Sequence, residues 1–190
     1  MPSNLAPDLV SHAFPSRLAE LAFSVGLPHG FAVLDVPLEN LEFEKPAFVA
    51  PLMVASSEVA LAVLTVAARP AYEDGSVMQW LQYLVGEAGV TGQPLELKTL
   101  MPGRIGAKGK EHPAILATAT QVQDGTHLRF HIAMIEDGAR IVIVMAMVPE
   151  ELWPSFGEQL AAAVESFALD APKGPTMPLV PGAPAPKLGH

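Results

Sequence analysis

Cysteine is absent from the 190 residues. Disulfides, thiolate nucleophiles and thiolate metal sites are thereby excluded, and nothing points to an oxidising compartment. Charge is scarce too. Asp, Glu, Lys and Arg make up 16% of the chain, against about 25% in ordinary globular domains. Basic residues are the scarcer sign, 11 against 20 acidic ones, for a formal net charge of -9. That balance opposes any general affinity for nucleic acid or anionic lipid. Long apolar runs are also missing. The most apolar stretch, VALAVLTVAA at residues 59–68, is far shorter than the roughly 20 residues of a membrane helix. It reads as a buried strand, and membrane insertion is not expected. The opening MPSNLAPDLVSHAFPSRL lacks the basic start and apolar run of a signal peptide, so the expected location is the cytoplasm. What the chain does have is apolar substance: half of its residues are hydrophobic and its mean hydropathy is +0.33. Such a chain must bury its surplus in itself or against a partner.

Two segments carry helical spacing. The first opens at Ser76, where Ser76 and Gln79 form a capping box, and its stripe is Val77, Trp80, Leu81, Leu84, Val85 and Ala88, with Gly89 as the stop. The second follows Val148 and Pro149 with the stripe Leu152, Phe156, Leu160, Ala163, Val164 and Phe167. Pro154 is tolerated only in a first turn, so regular helix is expected to begin within residues 151–154. Between the helices the pattern is β. Residues 114–123, 126–135 and 139–148 are separated by Asp124-Gly125 and Asp137-Gly138, the strongest short hairpin signal there is. Residues 22–27, 31–36, 48–55, 59–67 and 95–101 read as further strands, with Pro28-His29-Gly30 as the first turn. Strands, a helix, more strands and a helix predict an α+β domain on a mostly antiparallel sheet. The expected organisation is an irregular arm at 1–20, one α+β domain at 21–169 and a proline-rich tail at 170–190. In that tail Pro172, Pro175, Pro178, Pro181 and Pro184 recur every third residue, the period of a polyproline II helix.

The hairpin register sorts the side chains. If each Asp-Gly is a two-residue turn, Val122 faces His127, Thr120 faces Arg129 and Thr118 faces His131, while across the other pair His131 faces Val144 and Arg129 faces Ala146. One sheet face is then Leu128, Phe130, Ile132, Met134, Ile141, Ile143, Met145 and Met147, a core face. The opposite face gathers Thr118, Thr120, His127, Arg129 and His131. Arg129 could hold a carboxylate or phosphate there, with either histidine as donor or proton acceptor. The alternative is a structural polar patch, solvated or paired with Glu residues of a covering helix. His127 and His131 are no metal pair, because four strand residues span about 13 Å. No metal or other cofactor is expected.

The segment Gly103-Arg104-Ile105-Gly106-Ala107-Lys108-Gly109-Lys110 fails as a phosphate loop, because five residues separate Gly103 from Gly109 and Glu111 follows Lys110. Lys98, Arg104, Lys108 and Lys110 nevertheless place four of the 11 basic residues on one stretch, expected as a flexible loop that is either simply solvated or else docks a partner or binds an anion. There is no Gly-x-Ser-x-Gly elbow, and Glu150 and Glu151 suit a helix start.

Several marks resemble the PsbP-like superfamily: Phe23-Ser24-Val25 followed by Leu27-Pro28-His29-Gly30-Phe31, Trp80-Leu81 in the central helix, and the ending Val148-Pro149, Trp153, Ser166-Phe167. That superfamily includes a photosystem extrinsic protein, a Ran-binding protein of nuclear transport and DcrB-like bacterial domains. The resemblance implies an α/β/α sandwich with an antiparallel sheet and two packed helices, and roles that are mostly noncatalytic. One bacterial branch resembles chaperones that shield apolar segments of secreted effectors. The expected function is therefore a noncatalytic cytoplasmic adaptor or chaperone for an apolar segment of a partner protein. The rivals are an anion binder or enzyme using the Arg129 face, and a self-assembling structural subunit.

Overall fold

Asp124 and Gly125 both adopt positive φ, 48° and 80°, the backbone of a two-residue turn whose twist matches that of its strands. Around this turn the computed structural model describes residues 8–18, 21–34, 50–70, 95–106, 109, 111–137 and 140–170. The described strands are β1 (Leu9–Leu18), β2 (Leu21–Pro28), β3 (Ala32–Leu34), β4 (Ala50–Ser57), β5 (Ala62–Pro70), β6 (Glu96–Ile105), β7 (His112–Gln123), β8 (Thr126–Asp137), β9 (Arg140–Pro149) and β10 (Ala168–Asp170). A 3-10 turn, Glu150–Leu152, leads into the helix α1 (Trp153–Glu165). All pairings are antiparallel. They build one sheet in the order β3-β4-β5-β9-β8-β7-β6 and a smaller one in the order β1-β2-β10.

The central strand β9 explains the layering. Its sequence IVIVMAMV is apolar on both sides, as a strand buried on both faces requires. On the first face Val142, Val144, Ala146 and Val148 join Leu64 and Val66 of β5 and Ala133 and Ile135 of β8. Against them pack Leu160, Ala163 and Val164 of α1 and Phe23, Val25 and Leu27 of β2. On the second face Phe130, Ile132, Met134, Ile141, Ile143 and Met145 form a separate buried cluster. The sequence reading took one face as core; both are.

Helix α1 begins inside the expected window, with Pro154 in its first turn. Phe167 lies beyond its end. There Phe167 is buried against Phe23, with ring centroids 5.5 Å apart, and Phe23 stacks on Phe14 at 4.9 Å. Ser166 ties the layers together: its hydroxyl accepts the Gly26 N–H at 2.8 Å and donates to the Ala163 carbonyl at 2.7 Å. A Cβ at Gly26 would stand 3.0 Å from Leu9 Cβ and 3.1 Å from Ser166 Oγ, so the close approach of β1 and the helix end depends on glycine here.

Four expectations need correction. Within the arm expected to be irregular at 1–20, Leu9–Leu18 form a strand: β1 pairs with β2 from Leu9↔Pro28 to Phe14↔Phe23, with a register shift between Phe14 and Leu18. Pro15 falls within that shift, and an edge strand tolerates proline at such an irregularity. The tail yields Asp170 to β10, which pairs with Ala22. The strand expected at 95–101 runs on as β6 to Ile105, so that Arg104 as well as Lys98 belongs to a strand rather than to a flexible loop. The β8–β9 register is displaced by two residues, so that His131 faces Ala146 and Arg129 faces Val148. Asp137 remains in the ladder opposite Arg140 instead of forming the turn, and an even displacement leaves every side chain on its expected face. The expected first helix at residues 76–89, the tail at 171–190, Lys108 and Lys110 lie outside the described residues.

Candidate functional site

The β7–β8 register is the expected one: Thr118↔His131, Thr120↔Arg129 and Val122↔His127. These five candidate residues, Thr118, Thr120, His127, Arg129 and His131, therefore share the first face, the face that α1 covers. Each of the three basic side chains meets a residue of the covering turn and helix. His127 Nδ1 lies 4.0 Å from Glu150 Oε2, and His131 Nε2 lies 3.5 Å from Glu165 Oε1. The Arg129 guanidinium sits 4.4 Å above the Trp153 ring. The two threonines turn the other way, towards β6. Thr118 and Thr99 hydroxyls are 2.7 Å apart, and Thr120 donates to Glu96 Oε2 at 3.5 Å.

The three basic groups differ in burial. His127 is exposed to water, so its long contact with Glu150 is screened. The His131 side chain is 12% exposed. Burial pushes its pKa below the usual histidine value, and the Glu165 carboxylate opposes that shift. Arg129 is half-buried and stacked, an arrangement a planar guanidinium adopts readily and lysine does not. Beneath the stack, Gly157 makes room for the indole: a Cβ there would lie 2.6 Å from Trp153 Cε2. Arg129, Trp153 and Gly157 thus form one layered contact. The i, i+4 spacing of Trp153 and Gly157 was the only sequence signal for it. Among the described residues no group of three or more His, Asp or Glu side chains could hold a metal ion.

A second feature lies outside that face. The run at residues 59–68 is not one buried strand, because β5 starts at Ala62 and Glu58, Val59, Ala60 and Leu61 form the β4–β5 turn. Ser57 Oγ accepts the Ala60 N–H at 3.3 Å. Val59 is 86% exposed and Leu61 62% exposed. Leu61 adopts φ 48°, a left-handed conformation that suits glycine or asparagine and is strained for leucine. The neighbouring edge strand β3 adds exposed Val33 and Leu34, paired with Ala55 and Val54.

Of the basic segment, Lys98 and Arg104 lie on β6, at the opposite edge of the large sheet. Lys98 pairs with Glu96, whose carboxyl is held below its usual pKa chiefly by that hydrogen bond. Arg104 Nη2 donates to the Glu111 carbonyl at 2.8 Å.

These layers define a class: an antiparallel α+β domain in which a helix and a small sheet cover one face of a seven-stranded sheet. The fold is PsbP-like. Among solved structures the chain is similar to cyanobacterial PsbP (CyanoP) from Synechocystis, with TM-score 0.53 and 13% identity over 90% of this chain and 96% of that one. It is similar also to LpqN of Mycobacterium tuberculosis, described as involved in cell envelope biogenesis, with TM-score 0.53 and 10% identity over 86% of this chain and 92% of that one. No family model and no curated protein matches the chain. Among the described residues no helix is long and apolar enough to cross a membrane.

Proposed function

We propose that the chain is a noncatalytic binding protein of the cytoplasm, an adaptor or chaperone that shields an apolar segment of a partner protein. The observation that carries this reading is the β4–β5 turn, where Val59 and Leu61 stand in solvent, with exposed Val33 and Leu34 further along the adjoining edge strand β3. Large aliphatic side chains held in solvent at a turn suit a protein contact. The backbone strain at Leu61 adds to this, because strained positions cluster where function keeps them. The test is binding of a fluorescent, uncharged peptide rich in leucine and valine, read by anisotropy. Saturable binding weakened about tenfold or more by combined Val59→Ser and Leu61→Ser supports the reading, since each side chain buries about 1.5 to 3 kcal/mol of transfer free energy. Leu61→Gly supplies the control, removing the side chain while fitting φ 48°. Equal binding by all three proteins contradicts it.

Arg129 favours a second reading, in which this face takes an anion. Its guanidinium is held over Trp153, and among the described residues it forms no salt bridge with a carboxylate. Titration with inorganic phosphate, followed by NMR, should then shift Arg129, Thr120 and His127 together. Shifts spread over other basic side chains, or none, would exclude it.

A further inference from the structure

Strand β6 ends the large sheet, and among the described residues it is hydrogen-bonded on one side only, to β7. From Lys98 to Pro102 every side chain is exposed, so neither face of the strand is covered there. Its outer row of N–H and C=O groups is a template for another strand. At its centre stand exposed Leu100 and Met101, and at its flanks Lys98 and Arg104. Residues 95–111 hold four basic residues against two acidic ones in a chain of net charge -9. We propose that the β6 edge binds an extended acidic segment of another protein, added as a further strand with its carboxylates over Lys98 and Arg104.

Charge selects this occupant over a second copy of the chain. Two β6 strands paired antiparallel about Met101 would set Lys98 of one copy opposite Arg104 of the other, at both ends of the contact. Like charges directly opposite each other in a ladder are destabilising. An acidic segment turns the same two positions into attractions, with carboxylates about 20 Å apart along the strand. The local partners do not block it: the Lys98–Glu96 pair is exposed, and so is the hydrogen bond from Arg104 to the Glu111 carbonyl. An incoming carboxylate competes with each.

The strand also limits the length of the ladder. The register shift between Leu97 and Thr99 interrupts the pairing at Lys98, and Pro102 has no N–H to give. The backbone ladder is therefore short, and charge supplies much of the affinity. Binding should be strongly salt-dependent, since attractions between exposed groups fade when the Debye length falls to about 8 Å near physiological ionic strength.

The test uses the full chain, labelled for NMR, and a peptide of alternating valine and glutamate. At low ionic strength the peptide should shift the amides of residues 99–104 and slow their hydrogen exchange. Combined Lys98→Glu and Arg104→Glu should weaken binding about tenfold or more. Milder Lys98→Ala and Arg104→Gln should weaken it less while leaving the thermal transition in place. A valine–lysine peptide should not bind. Equal affinity for the two peptides, indifference to charge reversal, or shifts centred away from β6 would each overturn the proposal. Variants at Val59 and Leu61 should leave this binding untouched, so it fails or stands apart from the function proposed above.

Discussion

Strand β8 offers different chemistry to the two sides of its sheet, although both are buried over much of their area. Towards the second face it turns Leu128, Phe130, Ile132 and Met134, which need nothing but apolar neighbours. Towards the first it turns His127, Arg129 and His131 before the apolar Ala133 and Ile135. His127 is left to water near Glu150, but the more buried Arg129 and His131 need particular partners, and α1 brings them: Trp153 and Glu165. An apolar face is satisfied by area, which is non-directional. A polar face under a helix is satisfied by position, and so it fixes how that helix lies.

The largest expected effects ask whether both faces are true cores. Phe130→Ala on the second and Phe167→Ala beneath the first should each destabilise by about 3 to 5 kcal/mol in urea unfolding. A loss under about 1 kcal/mol at either site would mean that this side is loosely packed. Next comes the layered contact. Gly157→Ala should destabilise by about 1 to 3 kcal/mol by displacing the indole, outweighing the gain of up to about 1 kcal/mol in helix propensity. Thermal unfolding together with tryptophan emission reads this, and a stabilised variant would show that Trp153 does not need the space. A double-mutant cycle on Arg129→Met and Trp153→Leu should return a coupling of about 0.5 to 1 kcal/mol. Additive effects would dissolve the stack.

The smallest effect concerns His131. Burial holds its folded pKa below the ordinary value of about 6.5, so near that pH the unfolded chain binds more protons than the folded one. The contribution is complete above about pH 6.5 and is lost as pH falls from there through the lowered folded value. Stability measured from pH 8 down to about 5 should fall less for His131→Gln than for the unaltered chain. Parallel curves would remove His131 from the account.

Sequence arithmetic reached part of this. Asp124-Gly125 sets the β7–β8 register because a two-residue turn leaves no freedom, and alternation then placed Thr118, Thr120, His127, Arg129 and His131 together. Asp137-Gly138 misled by two residues because Asp137 could also pair, and it does. Period-two counting says which residues share a face but not which helical residue arrives above them, so Trp153 over Arg129 stayed hidden. Leu61 was illegible for a different reason: a leucine does not announce a left-handed backbone, so the turn read as strand. The strand read at 95–101 stopped short of Arg104 because Pro102 and Gly103 interrupt a strand pattern, whereas an edge strand accommodates both.

The hydrogen bond from Gly26 to Ser166 joins residues 140 positions apart. During synthesis β1 and β2 leave the ribosome well before their third strand β10 and the ring of Phe167. Closing so long a loop is slow, whereas the β7–β8–β9 meander pairs locally and needs no such delay. Until Phe167 emerges, Phe14 and Phe23 wait without the ring that completes their cluster. In that interval the small sheet exposes apolar rings that the completed fold buries, a surface of the kind a general chaperone holds.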